Sequence, residues 1–478
     1  MNISRTLLAS AATLALFATF GTAHAASEEH RRIIDQQLAN KKPFANQEFI
    51  IRFKEGVSQA ERDAVLAQVG GNKGTAKLLA ARGLAGAKQD SHLIRGSRDM
   101  RMTMSALNAD PRVDYAEPNW IIKPAVAPIM PRISPASTVT TAGVAVNDPY
   151  YTAGYLWNMY GASTSPASYY GTGARAAWDA GHTCSNYPVY VGIIDQGVSI
   201  AHPDLKLNIW TNPADRADGK DNDMNGYVDD INGYNFFNNN NNVAGSATEA
   251  HGTHVAGIIG AQGNNGVGVA GLCWSIRMIP AKFMDATGGT VANAIRAIDY
   301  FTDMKLKKGI KLVATNNSWT GGGYSQALYD AIERARAADI LFIAAAGNGG
   351  ADNLSDDNDV IPTYPANYTN ANVISVAAVD KNGALGKFSN YGKTTVHLAA
   401  PGVDILSTIP TATGYGYGYM SGTSMAAPHV TAAAAMYAAS HPTATAAEIK
   451  NAILSSVRPD PALQGITVTG GVLDVSKF

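Results

Sequence analysis

From Asn147 onward the sequence alternates short, continuous apolar runs with longer segments of helical character. Tyr190-Val191-Gly192-Ile193-Ile194, Arg277 to Phe283, Leu312 to Asn316, Ile340 to Ala345 and Asn372 to Val379 read as buried strands. Helices are expected near 251–261, 290–307, 325–337 and 425–439. Runs that are apolar at every position suit strands covered on both faces, not the polar–apolar alternation of a half-exposed sheet. Strand–helix alternation of this kind predicts an α/β fold, a doubly wound and mostly parallel sheet with helices on both faces. In such a sheet functional groups gather beyond the carboxyl ends of the strands.

Residues 1–146 read differently. Arg5, the apolar stretch Leu7 to Phe20 and the small residues Ala23-His24-Ala25 form a secretory leader over 1–25, with cleavage expected before Ala26. Residues 47–124 carry a strand at 48–53, a helix from Ser58 to Val69 opened by Ser58 with Glu61 three residues on, a second helix from Asp99 to Ala109, and a closing strand at 113–118. This predicts a small α+β domain with a ferredoxin-like order. Residues 125–146, rich in Pro, Ser, Thr and Ala without periodicity, read as a linker.

Formal net charge is −1, which supplies no footprint for nucleic acid or a membrane surface. The charge is unevenly placed: residues 26–146 hold 17 Lys/Arg against 12 Asp/Glu, and residues 147–478 hold 19 against 26. Opposite signs suit mutual docking of the two segments, although ordinary variation explains them equally well. Cys184 and Cys273 are the only cysteines. In an exported chain the pair predicts one disulfide; both lie just upstream of expected strands, so neighbouring parallel strands would bring them to one end of the sheet. Two separate buried thiols are the alternative.

Three polar residues fall where the fold places chemistry. Asp195 ends the run Ile193-Ile194-Asp195-Gln196-Gly197, His251 opens the helix His251-Gly252-Thr253-His254-Val255, and Ser424 lies in Gly422-Thr423-Ser424-Met425-Ala426-Ala427-Pro428. Pro428 has no amide proton, so the helical hydrogen bond to the carbonyl of Ser424 cannot form. The Ser424 hydroxyl also sits at the positive end of its helix, where negative charge is tolerated. Serine as nucleophile, histidine as proton acceptor and a carboxylate to fix the tautomer make a coherent set. Asn348, after the strand 340–345 in Ala345-Ala346-Gly347-Asn348, could donate its amide to a developing oxyanion. Singly, each residue has a plainer reading: a strand-end Asp, a helix cap, an Asn in a turn.

Together these motifs resemble the subtilisin-like serine proteases, in which the triad runs Asp, His, Ser along the chain. The resemblance covers nearly all of 147–478. It implies a secreted serine endopeptidase acting on polypeptide substrates through an acyl-enzyme, with Asp195, His251 and Ser424 as triad and Asn348 as oxyanion donor. It implies that Ser318, Trp319, Thr320 and Gly321 pair with substrate backbone, and that 26–124 is a propeptide that assists folding and inhibits the cleft until cut within 124–147. A monomer is expected. Two departures stand out: Gln196 where the family usually has Thr or Ser, and Thr320 where Gly is common and a side chain could narrow the specificity pocket. Gly321-Gly322-Gly323 and the Tyr-Gly repeat at 414–419 read as loops flanking the cleft.

A structural calcium ion is the cofactor expectation. Asp221, Asp223, Asn225 and Asp229 supply oxygens at alternating positions around Gly226, although Asn232 stands where an EF-hand needs its bidentate Glu. Asp204 also matches a calcium ligand of the family, but the loop 263–266 that would complete its site is short. His254 and His429 read as packing or supporting groups, since no third ligand accompanies them. Two other readings compete: a secreted binding protein that keeps the fold without catalysis, and a serine-carboxyl peptidase, which would need carboxylates where this chain has His251 and Asn348.

Overall fold

The computed structural model describes residues 28–71, 77–79, 91–126, 146–350 and 352–478. The expected leader and most of the linker lie outside them. The chain divides into two compact units: one holds the residues up to Trp120 together with 323–327, the other nearly all of the rest from Ile121.

The first unit is an antiparallel sheet with helices. Strand Phe44–Phe53 lies between Ser91–Arg95 and the first part of Val113–Pro124, and Lys77–Leu79 extends the edge beside Ser91–Arg95. Helices Gln59–Gln68 and Met100–Ala109 are the two expected. The first opens with a full capping box: the Ser58 side chain accepts from the N–H of Glu61, whose carboxylate accepts from the N–H of Ser58. Val65, Leu66, Met104 and Leu107 turn inward, as do Phe49, Ile50 and Ile51. A further helix over 28–39 was not foreseen; its inward residues Ile34 and Leu38 are buried, but its flanks are polar and its pattern is short.

The second unit contains a nine-stranded sheet in the order Arg458–Pro459, Gly471–Val472, Leu398–Pro401, Val373–Val379, Leu341–Ala345, Leu312–Asn317, Tyr190–Asp195, Arg277–Lys282, Tyr234–Asn235. All neighbours run parallel except the outermost pair at 458–472. The five expected strands occupy its centre. Strand Tyr190–Asp195, the earliest in the chain of the nine, has Arg277–Lys282 on one side and Leu312–Asn317 on the other, so the winding direction reverses there. That reversal opens a crevice at the carboxyl ends of these strands, where Asp195 and Ser318 emerge.

Helix Val291–Lys308 is punctuated locally: the Thr290 side chain accepts from Asn293 N–H, lysines 305, 307 and 308 sit in the last turn, and Gly309 closes it with φ 67°. Helix Thr423–Ser440 has no polar face; its alanine-rich surface is buried nearly throughout against helix His251–Gly260 and the central strands. Cys184 and Cys273 form a disulfide, with Cα atoms 5.4 Å apart, ahead of two strands paired in register Tyr190↔Arg277. The Tyr-Gly repeat is not a loop. It forms strand Gly414–Met420, paired antiparallel with Ile405–Thr411. The two-residue period puts Tyr415, Tyr417 and Tyr419 on one face, where His202 meets the rings of Tyr415 and Tyr417 edge-on, while Gly418 leaves room for Ile409. No helix among the described residues is long and apolar enough to cross a membrane.

Candidate active site

Asp195 is the last residue of its strand and wholly buried; Oδ1 accepts the N–H of Gln196 at 2.7 Å. His251 Nδ1 lies 2.8 and 3.0 Å from its two oxygens. A carboxylate can only accept, so Nδ1 carries the proton and Nε2 keeps its lone pair. Nε2 is buried and has no hydrogen-bond partner among the described residues. Gly252 permits this closeness: a Cβ there would come 2.3 Å from Gly197 O and 3.1 Å from the Asp195 carboxylate. The Gln196 side chain points elsewhere, donating to Asp285 O at 3.0 Å, so the unusual residue leaves the Asp–His pair undisturbed.

Ser424 is the second residue of its helix and fully buried. The carbonyl orphaned by Pro428 accepts from Ser318 Oγ at 2.9 Å, and Ser318 Oγ in turn accepts from Asn316 Nδ2 at 2.8 Å. Thr431 donates to Asn316 Oδ1 at 3.0 Å and completes this support. The Ser424 hydroxyl donates to Ser318 O at 2.9 Å and not to His251 Nε2. Catalytic serine–histidine bonds are often long or unmade outside the reacting complex.

Asn348 is oriented by Thr423, a residue the sequence reading passed over. Thr423 N–H and Oγ1 both donate to Asn348 Oδ1, at 3.0 and 2.8 Å, which fixes the amide so that Nδ2 faces away from them. That Nδ2 is buried and unpaired. A buried donor without an acceptor costs about 1–3 kcal/mol, and this one is free to receive an incoming oxygen.

Residues 121–125 run through the crevice as an extended strand. Ile121 and Ile122 pair with Thr290 and Gly289; Lys123 and Pro124 pair with Thr320 and Trp319. Ala125 N–H donates to Ser318 O, and Ala125 O accepts from Ser424 N–H, each at 3.1 Å. Ser318, Trp319 and Thr320 thus meet the strand through their backbones. The Trp319 ring packs away from it, against Phe283 and Phe342, and Thr320 Oγ1 donates to Tyr364 O at 3.3 Å. Gly321 follows the pairing with φ 104° and open space around its Cα.

Helix residue His254 bonds through Nε2 to the carbonyls of Ile405 and Gly418, both at 3.0 Å, and burial holds its pKa down to about 3. His429 lies between Met425 O and Asn158 Nδ2, and burial lowers its pKa to about 4. Both are neutral ties between elements. In the acidic loop, Asp221 accepts from the N–H groups of Asn225 and Gly226, and Asp223 from Asn225 N–H and Asn212 Nδ2. Asn225 Oδ1 accepts from Tyr227 N–H, and Asp229 turns to Asp218 and Gly219. Asp221 and Asp223 meet at the Asn225 N–H while Asp229 serves other amides, and no group of three acidic, His or Cys side chains suited to a metal occurs among the described residues. Asp204 is likewise occupied, by Asn265 Nδ2 and Val269 N–H, and burial raises its carboxyl to about 7.

A switch-point crevice holding an Asp–His pair, a helix-start serine and an aimed amide defines a serine hydrolase of the subtilisin fold. The chain belongs to the subtilase family: that family's profile matches residues 188–470, and the profile of the fervidolysin N-terminal prodomain matches 33–119. It is a subtilisin-like serine endopeptidase with an N-terminal prodomain. The "Thermophilic serine proteinase" of Bacillus sp. (strain AK1) is 33% identical over 405 residues, covering 83% of this chain and 79% of that protein. The "Extracellular basic protease" of Dichelobacter nodosus is 29% identical over 480 residues, covering 91% and 70%. Among solved structures, fervidolysin from Fervidobacterium pennivorans, described as a keratinolytic enzyme related to subtilisin, matches with a TM-score of 0.65 at 21% identity. That likeness covers 90% of this chain and 60% of fervidolysin, and concerns the fold alone. Subtilases often bind calcium.

Proposed function

We propose that Ser424 attacks the scissile carbonyl of a polypeptide, His251 takes its proton at Nε2, and Asp195 holds the imidazole in that tautomer and stabilises the imidazolium. Asn348 Nδ2 and the Ser424 N–H receive the oxyanion, at the start of a helix whose dipole favours negative charge. His251 then protonates the leaving amine, and water releases the acyl group by the reverse sequence. The observation that carries this reading is the unpaired, buried Asn348 Nδ2, held by Thr423 and directed at no group of its own. Covalent labelling with a fluorophosphonate tests it: matured protein should label at Ser424 and the Ser424→Ala variant should not. Equal labelling of the two, or none of either, refutes the assignment.

The chain functions as a secreted, monomeric precursor in four parts: leader 1–25, inhibitory and folding-assisting propeptide 26–124, linker 125–146 and catalytic domain 147–478. Supporting this are the apolar leader, the disulfide, the name of the Dichelobacter relative, and the segment 121–125 that fills the crevice. Calcium remains a proposal for loop 221–229, supported by its density of oxygens. Binding there requires Asp221, Asp223, Asn225 and Asp229 to exchange the N–H groups they now accept for the ion.

A further inference from the structure

Three observations fix the register of residues 121–126 against Ser424. Ala125 is gripped at both backbone groups, its N–H by Ser318 O and its carbonyl by Ser424 N–H. A Cβ placed on Gly422 would stand 2.6 Å from Ala125 O, 3.0 Å from Val126 Cα and 3.1 Å from Asn348 Nδ2, so these atoms surround one small space. Ile122 and Ala125 are buried whereas Lys123 is exposed. A slip that put Val126 in the place of Ala125 would carry Lys123 into the buried place of Ile122. A slip that put Pro124 in the place of Ala125 would also forfeit the bond to Ser318 O, because proline has no N–H.

We propose that Ala125–Val126 is the bond this protein cuts in itself. This rests on the reading of Ser424 as nucleophile. The Ser424 Oγ–Ala125 C bond forms, the Ala125 C–Val126 N bond breaks, and the proton lost by Ser424 passes through His251 to the new amine of Val126. Water then adds to the acyl carbon, leaving the Ala125 carboxylate and restoring the Ser424 hydroxyl. The mature chain begins Val126-Ala127-Pro128. The same register sets the preference toward other substrates: a small residue at the cleaved position and an aliphatic one three residues before it, with the residue two before it open to solvent.

N-terminal sequencing and intact mass of the matured protein should place the new terminus at Val126, with the Ser424→Ala precursor left whole. Ala125→Ser should mature normally and Ala125→Trp should not be cut at this bond. Independently of any variant's folding, wild-type mature enzyme should cleave an Ile-Lys-Pro-Ala anilide at least about tenfold better in kcat/KM than Ile-Lys-Pro-Trp, the scale on which pockets sort side chains by size. A terminus elsewhere in 127–145, cutting of the Ser424→Ala precursor at Ala125–Val126, or equal use of the two anilides overturns the proposal. If fluorophosphonate labelling of Ser424 persists in that case, the protease reading stands and only the bond assignment falls; if labelling is absent, both fall.

Discussion

Ser424, the proposed nucleophile, is placed by what its helix lacks. Pro428 removes one amide proton, the freed Ser424 carbonyl is taken by Ser318 Oγ, and Asn316 and Thr431 hold Ser318 in turn. Asn348 depends in the same way on Thr423. Replacing Asn348 with Ala should lower kcat by about 10²–10³ with KM little changed, the loss measured for one oxyanion donor in subtilisin. Thr423→Val, which keeps the backbone donor and removes a hydroxyl that donates to Asn348 Oδ1 and accepts from Gly347 N–H, should cost roughly tenfold. Because both act through one amide, the double variant should be no slower than Asn348→Ala alone; additive losses in stopped-time peptide assays would show that Thr423 acts by another route. Asp195, His251 and Ser424 were legible because each sits in a distinctive local string at a strand end or helix start. Thr423 was not, since a threonine before a serine has no local signature and its partner lies 75 residues away.

At the scale of elements, the strands covered on both faces were readable from continuous apolar runs, and Ser58 with Glu61 announced a helix correctly. What escaped were elements whose order comes from partners. Strand Gly414–Met420 carries alternate glycines that weaken any strand reading, yet the pairing with Ile405–Thr411 and the ring contacts of Tyr417 with Tyr150 and His202 hold it. Leu398–Pro401 is only four residues long and owes its place to neighbours on both sides. The acidic loop poses the opposite case, a pattern legible in sequence whose oxygens serve backbone N–H groups in the structure. If calcium does claim it, excess chelator should lower the Tm of the Ser424→Ala protein, and Asp221→Asn with Asp223→Asn should abolish that shift. A Tm indifferent to chelator in the unmodified loop would remove calcium from this site.

For the whole molecule, pH acts through buried groups of opposite sense. Burial holds His254 near 3 and His429 near 4, so each is neutral in the folded chain and protonated in the unfolded one below about 6.5. Their contribution to stability is complete above that value and is lost as pH falls from about 6.5 toward the folded value. Asp204, raised to about 7 and Asp148 to about 6 by burial, contribute the reverse sign, so the net curve does not isolate either. A difference does. In the Ser424→Ala background, His254→Gln should be most destabilising at pH 8, and the penalty should shrink below pH 6.5 by at most about 1.4 kcal/mol per pH unit. Denaturant melts at pH 8 and pH 5 that return the same penalty would show that His254 is not neutral in the fold.

The two strand edges at 289–290 and 319–320 pair with 121–124 through main-chain groups, and that bears on which proteins fall prey to this enzyme. A main-chain grip asks a target for about five residues free to extend, and only secondarily for particular side chains. In a native protein such a stretch is available only when it opens locally, at a free-energy cost that runs from nearly nothing in loops and termini to the full folding stability in the core. Victims are therefore ranked first by how readily they unravel, and a compact, disulfide-tied catalytic domain is poorly suited to being consumed by its own copies.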